Sequence, residues 1–279
     1  MKSKTSLGLL GILGIWLTAG LSLPFVNTLA MFTPEQLMVF RGFVIALIAF
    51  IGLRGTIGKA DKHTWISVFA LSFATLGLFQ GIRHWGASST IVIVTATPLV
   101  NFAISLYLGR KISGAAVAGL VLVLSGVLLA RWGARFQWAG FAWSIFCTIM
   151  YGILYESFAR AKASSLQKCF YTCIGMGVLG LILSIGTPWT YLAEPKVLVM
   201  LVSFSFVGFL FWLANSIAFE NLPTAEASIL AQGKTPAVII GAYLMLGERL
   251  TILQWMGIVI SILGACYLSR WLAKKPEGI

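Results

Sequence analysis

Charged residues are scarce in this chain, and acidic ones especially so. Only 10% of the 279 residues are charged, compared with about a quarter in an average soluble domain. Hydrophobic residues make up 59% of the chain, and its mean hydropathy is +0.94. A water-soluble fold of this composition would expose far too much apolar surface. The composition therefore predicts an integral membrane protein whose apolar surface faces lipid.

Histidine, aspartate and cysteine are too few and too scattered for most catalytic or metal-binding arrangements. The two histidines, His63 and His84, and the one aspartate, Asp61, lie outside the apolar runs. The four cysteines lie in or beside apolar runs without a CxxC pair, which favours packing over metal binding. No Walker motif is present. We therefore predict that the chain is not an enzyme and that it binds neither a metal nor a cofactor.

Ten apolar segments are each long enough for a membrane-spanning helix, which needs about 20 residues. The first has a signal-peptide-like start at Lys2 and Lys4, but its length favours a span. Backbone polar groups in lipid must be paired within the protein, so we predict an all-α bundle. The segments cover residues 7–31, 35–53, 65–83, 87–108, 114–131, 137–158, 169–190, 197–219, 224–246 and 251–272.

Lysine and arginine are unevenly distributed between the two ends of these segments. If the N-terminus is inside, 13 of the 20 basic residues lie at inner ends and five at outer ends, with Arg41 and Lys234 within spans. Cytoplasmic loops carry such an excess. The bias predicts a multi-pass protein with both termini in the cytoplasm. It also explains most of the net charge of +12 without a nucleic-acid partner.

The chain contains an internal repeat at an offset of 138 residues. Residues 97–113 align without a gap with residues 235–251; both segments begin with Thr-Pro and share a later Leu-Gly pair. Because the offset equals five helices, an odd number, the second copy is inverted relative to the first. We therefore predict two inverted five-helix repeats, residues 1–134 and 135–279. Inverted repeats are typical of carriers that open alternately to each side of the membrane.

These segments resemble the drug/metabolite transporter superfamily, specifically the ten-helix EamA-type exporters. The resemblance rests on residues 246–251 (LGERLT), 40–46 (FRGFVIA) and 221–227 (NLPTAEA), and it covers essentially the whole chain. It departs from the family pattern at residues 108–110, where Gly-Arg replaces the usual Gly-Glu, and at Lys234. The resemblance implies alternating access in a bacterial inner membrane. It also implies small substrates, such as amino acids, that are usually exported.

Two cations lie inside predicted spans, where ionisable groups are costly and therefore mark functional sites. Lys234 is expected to contact a carboxylate or phosphate of the substrate, or to pair with Glu156 or Glu226. Arg41 suits bidentate binding of an anion, although a structural role at a gate is equally consistent. Together they predict a substrate with an anionic group, such as an amino acid or a related carboxylate. Uniport or exchange of a nucleoside, vitamin or cofactor-like metabolite, and drug efflux, are alternatives.

The remaining candidates are less distinctive. Glu156 is a candidate for proton coupling, and its alternative is an ion pair with Arg160 at i+4. Pro24, Pro98 and Pro236 lie inside spans and predict kinks or hinges. We expect the protein to contact its substrate and the bilayer as a monomer or homodimer. Further substrate-binding candidates, each with packing as the alternative, are Gln232, Gln80, Asn215, Trp16, Trp212 and Tyr151.

Overall fold

The chain folds as a bundle of helices in a computed structural model that describes residues 2–110, 113–130, 137–189, 194–246 and 251–274. The described residues form no strands, so the predicted all-α class is confirmed. The sequence motif at residues 246–251 lies mostly outside the described residues. The helices are α1 (Lys2–Thr28), α2 (Pro34–Gly52), α3 (Lys62–Trp85), α4 (Ala87–Val94), α5 (Thr97–Tyr107), α6 (Gly114–Ala130), α7 (Trp138–Arg160), α8 (Ser165–Leu183), α9 (Pro195–Asn221), α10 (Thr224–Ala231), α11 (Lys234–Leu246) and α12 (Ile252–Lys274).

Seven helical segments of the described chain are long and apolar enough to cross a membrane, judged by length and composition. Two shorter apolar helices, Gly114–Leu129 and Trp255–Trp271, occupy the fifth and tenth predicted spans. The ninth predicted span is divided between α10 and α11. The seven segments are Lys4–Leu23, Pro34–Gly52, Lys62–Trp85, Ser89–Tyr107, Trp138–Arg160, Ser165–Leu183 and Pro195–Asn221.

Polar side chains fix several helix starts. Thr33 and Ser164 each form a capping box with the glutamine three residues later, at the starts of α2 and α8. Asp61 caps α3, accepting hydrogen bonds from the Thr64 hydroxyl at 2.5 Å and the Thr64 backbone N–H at 2.8 Å. The hydroxyl bond is the main cause that lowers the pKa of Asp61 to about 2. Such caps accept hydrogen bonds from backbone N–H groups that have no partner within the helix. They therefore fix the residue at which each of these helices begins.

Glycines allow the closest helix crossings. A Cβ on Gly42 of α2 would lie 2.4 Å from the backbone nitrogen of Gly177 in α8. A Cβ on Gly126 of α6 would lie 2.5 Å from the backbone nitrogen of Ser261 in α12. Small residues at such crossings let backbones approach in a membrane, where apolar side chains gain little by leaving lipid.

The bundle has two distinct ends. We call the end where α1 begins the N-terminal end; there a Cβ on Gly8 would lie 2.6 Å from Leu222 Cγ, after the end of α9. At the opposite end, Arg83 Nη1 donates to the Phe32 carbonyl at 3.3 Å, which joins the end of α3 to the connection after α1. The site described below lies between these ends.

Two helices are broken where the sequence predicted kinks. The chain leaves the helix after Val94 and re-enters it at Thr97, and it does so again between Ala231 and Lys234. Each repeat-related proline, Pro98 and Pro236, lies in the first turn of the second half-helix. A proline is tolerated there because its missing N–H would have no partner in the helix. By contrast, α1 runs from Lys2 to Thr28 through Pro24 without a break.

Candidate functional site

The two helix breaks contact each other inside the bundle. The hydroxyls of Thr95 and Thr235 lie 2.7 Å apart, and both residues are fully buried. The break after α4 is also supported by α7, since Thr148 Oγ1 donates to the Ile93 carbonyl at 3.2 Å. The Thr148 hydroxyl adds to the backbone N–H of Ala96 as a donor to the Ile93 carbonyl, and the bond between Thr95 and Thr235 joins the two breaks directly.

Trp16 of α1 supports the second break. Its Nε1 donates to the Leu230 carbonyl at 2.7 Å. Its indole ring occupies the space that a side chain at Gly233 would need, because a Cβ there would lie 2.1 Å from Trp16 Cε2. Trp16 therefore holds the break in place and does not line the central cavity.

Beside the breaks lies a small cavity, which we call the central cavity. It has a volume of about 20 Å³, close to the space that one water molecule needs. Side chains from seven helices, α1, α2, α3, α4, α7, α9 and α11, form its wall, so the structure is closed around it. The wall consists of Ala19, Ser22, Leu23, Arg41, Thr75, Leu78, Ile91, Val94, Tyr151, Phe211, Trp212 and Lys234.

Arg41 reaches the central cavity from α2. It is only 3% exposed, and its guanidinium carbon lies 4.7 Å from the ring centre of Phe204 and 5.9 Å from that of Phe79. A Cβ on Gly208 would lie 2.6 Å from Arg41 Nε, so this glycine makes room for the guanidinium. Nε has no hydrogen-bond partner among the described residues.

Lys234 reaches the same cavity from the first turn of α11. It is 2% exposed, and Nζ donates to the Tyr155 hydroxyl at 3.2 Å. Nζ also lies 5.2 Å from the ring centre of Tyr151 and 5.8 Å from that of Tyr155. The alternative was an ion pair of Lys234 with Glu156 or Glu226, and the ion pairs of the described residues include neither.

Neither cation forms an ion pair with a carboxylate of the described chain; the described pairs involve other residues. Removing an ion from water costs several kcal/mol even after the protein relaxes. A cation–π contact returns only about 2 kcal/mol when desolvated. The aromatic contacts of Arg41 and Lys234 therefore leave an excess of positive charge that an anion would stabilise.

A column of stacked aromatic rings runs along one side of the site. Phe219 stacks on Tyr155 at 4.2 Å, Tyr155 on Tyr151 at 5.7 Å, and Tyr151 on Trp212 at 6.1 Å between ring centres. Tyr151 and Trp212 face the central cavity, whereas Phe219 faces another cavity at the N-terminal end. The column therefore separates the two cavities.

Larger cavities lie toward both ends of the bundle. One of about 400 Å³ at the N-terminal end includes Phe219, Glu226 and Arg110 in its wall. Another of about 260 Å³ at the opposite end includes Phe79 and Arg83. Phe79 contacts Arg41, so one aromatic ring lies between the central cavity and the cavity at the opposite end. On the other side, Phe219 and Tyr155 of the aromatic column lie between the central cavity and the cavity at the N-terminal end.

Glu156 lies at the N-terminal end, away from the central cavity. Its carboxylate pairs with Arg160 at 2.7 Å and with Arg110 at 3.0 Å. The i+4 pair that was the structural alternative for Glu156 is therefore present. Arg110, at the position where the family resemblance departs from the usual glutamate, ties the end of α5 to α7.

Another ion pair, between a buried lysine and a partly exposed glutamate, lies at the same end and was not recognised from the sequence. Lys168, counted among the loop charges, is 1% exposed and its Nζ lies 2.8 Å from Glu220 Oε1. The hydroxyls of Ser165 and Ser216 also donate to Glu220. This pair is satisfied within the protein, which distinguishes Lys168 from Lys234.

The other polar candidates occupy varied positions. Gln80 donates to Glu35 at 2.7 Å near the opposite end. Asn215 and Gln232 are fully buried and each donates to a carbonyl four residues earlier, while Asn215 Oδ1 and Gln232 Oε1 have no partner among the described residues. Neither is part of the cavity wall, which contains four of the predicted residues, Lys234, Arg41, Tyr151 and Trp212.

Ser22 and Thr75 of the cavity wall were not predicted from the sequence. A hydroxyl in an apolar helix usually bonds the carbonyl three or four residues earlier, as the Ser72 hydroxyl does at 2.7 Å. Thr75 Oγ1 instead has no partner among the described residues. A threonine within an apolar segment is too common to mark such a site in advance.

The chain resembles a known protein family in sequence and solved structures in fold. The family model of the EamA-like transporter family matches residues 138–270. Among solved structures 29 chains match, and one crystal structure superimposes with a TM-score of 0.76 at 17% sequence identity, covering 98% of this chain and 99% of that chain. Identity this low shows the fold alone. No curated protein matches the sequence.

The matched family is one of membrane transporters for small molecules, and the apolar helical bundle with a buried polar site is consistent with that class. Residues 138–270, a little under half of the chain, are therefore similar to the EamA-like transporter family. This agrees with the drug/metabolite transporter superfamily expected from the sequence.

Proposed function

We propose that the chain is a secondary carrier that exports a small metabolite with an anionic group, such as a carboxylate, across the bacterial inner membrane. The observation that carries this proposal is the presence of Arg41 and Lys234 in one buried cavity with no carboxylate of the described chain in ion-pair reach. An anionic substrate would offset the charge of both cations. A cationic drug would add to it.

We further propose ten spans arranged as two inverted repeats, residues 1–134 and 135–279. The half-helices Ala87–Val94 and Thr224–Ala231 support this, because both have eight residues and they begin 137 residues apart. That spacing agrees with the sequence offset within the usual uncertainty of helix ends.

The packing of helices also supports two related halves. If α1, α2, α3 and α6 correspond to α7, α8, α9 and α12, the contact of α3 with α7 corresponds to that of α9 with α1. Likewise, α3 with α8 corresponds to α9 with α2. Exchanging the two halves turns the contact of α2 with α8 into itself, and it does the same for the contact of α6 with α12. Every one of these contacts is extensive in the bundle.

The arrangement of cavities supports alternating access as part of this proposal. The central cavity is closed, and aromatic rings at Phe79 and Phe219 separate it from a larger cavity at each end. Opening one side at a time would require moving Phe79 with Arg41, or Phe219 with Tyr155. A substrate bound by Arg41 would therefore also influence the position of Phe79, and a substrate bound by Lys234 would influence that of Tyr155.

We place the N-terminal end of the bundle in the cytoplasm. Arg54, Lys59, Arg110 and Arg160 lie at this end, in connections or at helix ends. The excess of basic residues in cytoplasmic loops supports this orientation. The direction of transport, export, rests on the family resemblance.

Glu156 is the candidate for proton coupling. Its ion pairs with Arg110 and Arg160 also favour a structural role, in which they hold the end of α5 against α7. Glu156→Gln is expected to remove the pH dependence of transport if the carboxylate carries a proton. Initial rates between pH 6 and pH 8 in proteoliposomes test this. A transport rate that falls by the same factor at every pH would indicate the structural role of Glu156 alone.

A ligand screen tests the proposed function. Purified protein in detergent is heated with small carboxylates and phosphates, and with the neutral amide or alcohol matched to each. The anions are expected to raise the melting temperature and their neutral counterparts to leave it unchanged. Lys234→Gln should lose the effect, whereas Lys162→Gln, an exposed loop lysine, should keep it. Stabilisation by neutral or cationic compounds alone would contradict the proposal.

A further inference from the structure

The charge of the central cavity indicates how many negative charges the substrate carries. Resting on the proposed function, we infer that the site takes a small dianion, a molecule with two negative charges such as a dicarboxylate or a phosphate monoester. Two cations, Arg41 and Lys234, are part of the cavity wall, and that wall contains no aspartate or glutamate. A monoanion would leave one positive charge uncompensated in an apolar interior.

A zwitterion fits this site less well than a dianion. The ammonium group of an amino acid would add a third positive charge, with no wall carboxylate to pair with it. Buried charges are stable only when they are paired. The cavity therefore discriminates between a dicarboxylate and a simple amino acid, although both carry a carboxylate.

The two cations are held at separate places in the wall. Arg41 lies over Phe204 of α9 and Phe79 of α3, whereas Lys234 lies beside Tyr151 and bonds Tyr155, both of α7. These contacts keep the guanidinium and the ammonium on different aromatic surfaces. Two charged groups on a short chain could therefore each meet one cation.

Neutral donors complete the environment of an anion. Trp212 Nε1 is buried in the cavity wall and has no partner among the described residues. Thr75 Oγ1 is buried in the same wall and is equally without a described partner. An indole N–H only donates, and a hydroxyl can donate, so both suit carboxylate or phosphate oxygens. Arg41 Nε, also without a described partner, adds a charged donor.

Binding measured on matched ligands tests the charge count. Succinate, its monomethyl ester and its dimethyl ester share one carbon chain but carry two, one and no negative charges. Glycerol 3-phosphate and glycerol form a second series, and L-alanine supplies the zwitterion. Dissociation constants are measured by calorimetry on full-length protein in detergent. Wild-type protein should bind at least one dianion ten or more times more tightly than its less charged counterpart and than L-alanine.

The same series on single variants tests which residues set this preference. In Lys234→Gln and in Arg41→Gln, the preference of succinate over its monoester should fall to about twofold or less. Lys162→Gln should keep the wild-type preference. If only glycerol 3-phosphate binds, the inference stands when the monoanionic methyl ester of its phosphate binds ten or more times more weakly, and it fails when the two bind equally. The wild-type comparison remains decisive if a variant does not fold.

Four results would count against the inference. If succinate and its monomethyl ester bind equally, the proposed carrier of anions stands and the dianion does not. If L-alanine binds more tightly than the dianions, the charge count is wrong in the same way. If no anion binds and neutral compounds do, the proposed function fails as well. A preference that survives in both Lys234→Gln and Arg41→Gln would assign it to other residues.

Discussion

At the residue scale, the site depends on side chains that bond backbone carbonyls at the helix breaks. Trp16 does this most directly, because its indole N–H bonds the Leu230 carbonyl while its ring fills the space beside Gly233. The tryptophan is distant in sequence from the break that it supports. Its role is to hold Lys234, the next residue after Gly233, at the cavity.

Replacing this indole should weaken the fold measurably. Trp16→Phe keeps an aromatic ring but loses the bond to the Leu230 carbonyl, which contributes about 1 kcal/mol. We expect a lower melting temperature in detergent. Trp65→Phe is the control, because Trp65 is 57% exposed. Equal melting temperatures for the two variants would show that the bond to Leu230 contributes nothing.

Part of this site could be predicted from residue types alone. Arg41 and Lys234 are recognisable because a charge within an apolar segment is rare and costly. Their neighbours were not predictable in the same way. Phe79, Phe204 and Tyr155 come from other helices, and aromatic residues are frequent throughout the chain. Gln80, chosen because it is polar, instead bonds Glu35 near the end of the bundle.

At the scale of helices, close crossings and breaks determine the architecture. The crossing of α2 with α8 is closest at Gly42, where a Cβ would lie 2.4 Å from a backbone atom. The length of the apolar segments locates these helices, and capping residues such as Thr33 and Ser164 fix the starts of α2 and α8. Segment length does not distinguish a kink from a break, since both place a proline inside an apolar run.

Closing the space at this crossing should destabilise the bundle. Gly42→Ala forces α2 and α8 apart, and overpacking of this kind costs about 1–3 kcal/mol. The expected result is a lower melting temperature and less folded protein in the membrane. Gly114→Ala is the matched control, since nothing lies within 4 Å of a Cβ there. A loss of stability in Gly114→Ala as large as in Gly42→Ala would contradict the account of the crossing.

At the scale of the whole molecule, the central cavity lies between two larger cavities that belong to opposite ends. The inverted repeat proposed from the sequence would give the molecule two such sides with equivalent structures. The cavities themselves could not be predicted from the sequence, because each is formed by residues that are distant along the chain, and the central cavity and the one at the N-terminal end combine residues of both halves. Because a cavity lies at each end, a residue in each one can be labelled separately to test whether the two sides open in turn.

Thiol labelling should show this alternation. Ala30→Cys reports on the cavity at the opposite end and Ala159→Cys on that at the N-terminal end. Cys266, the exposed native cysteine of the described chain, is first replaced by serine. A membrane-impermeant maleimide should label Ala30→Cys from outside intact cells and Ala159→Cys only after permeabilisation. A bound anion should change the two rates in opposite directions, whereas parallel changes would contradict alternating access.

The most direct test of the central claim is counterflow in proteoliposomes. Wild-type protein loaded with an unlabelled anionic ligand from the screen is predicted to accumulate the labelled compound transiently. Lys234→Gln and Arg41→Gln should each reduce the initial rate at least tenfold while remaining folded in the membrane. Counterflow at the wild-type rate in both variants would contradict the assignment of these two cations to the substrate.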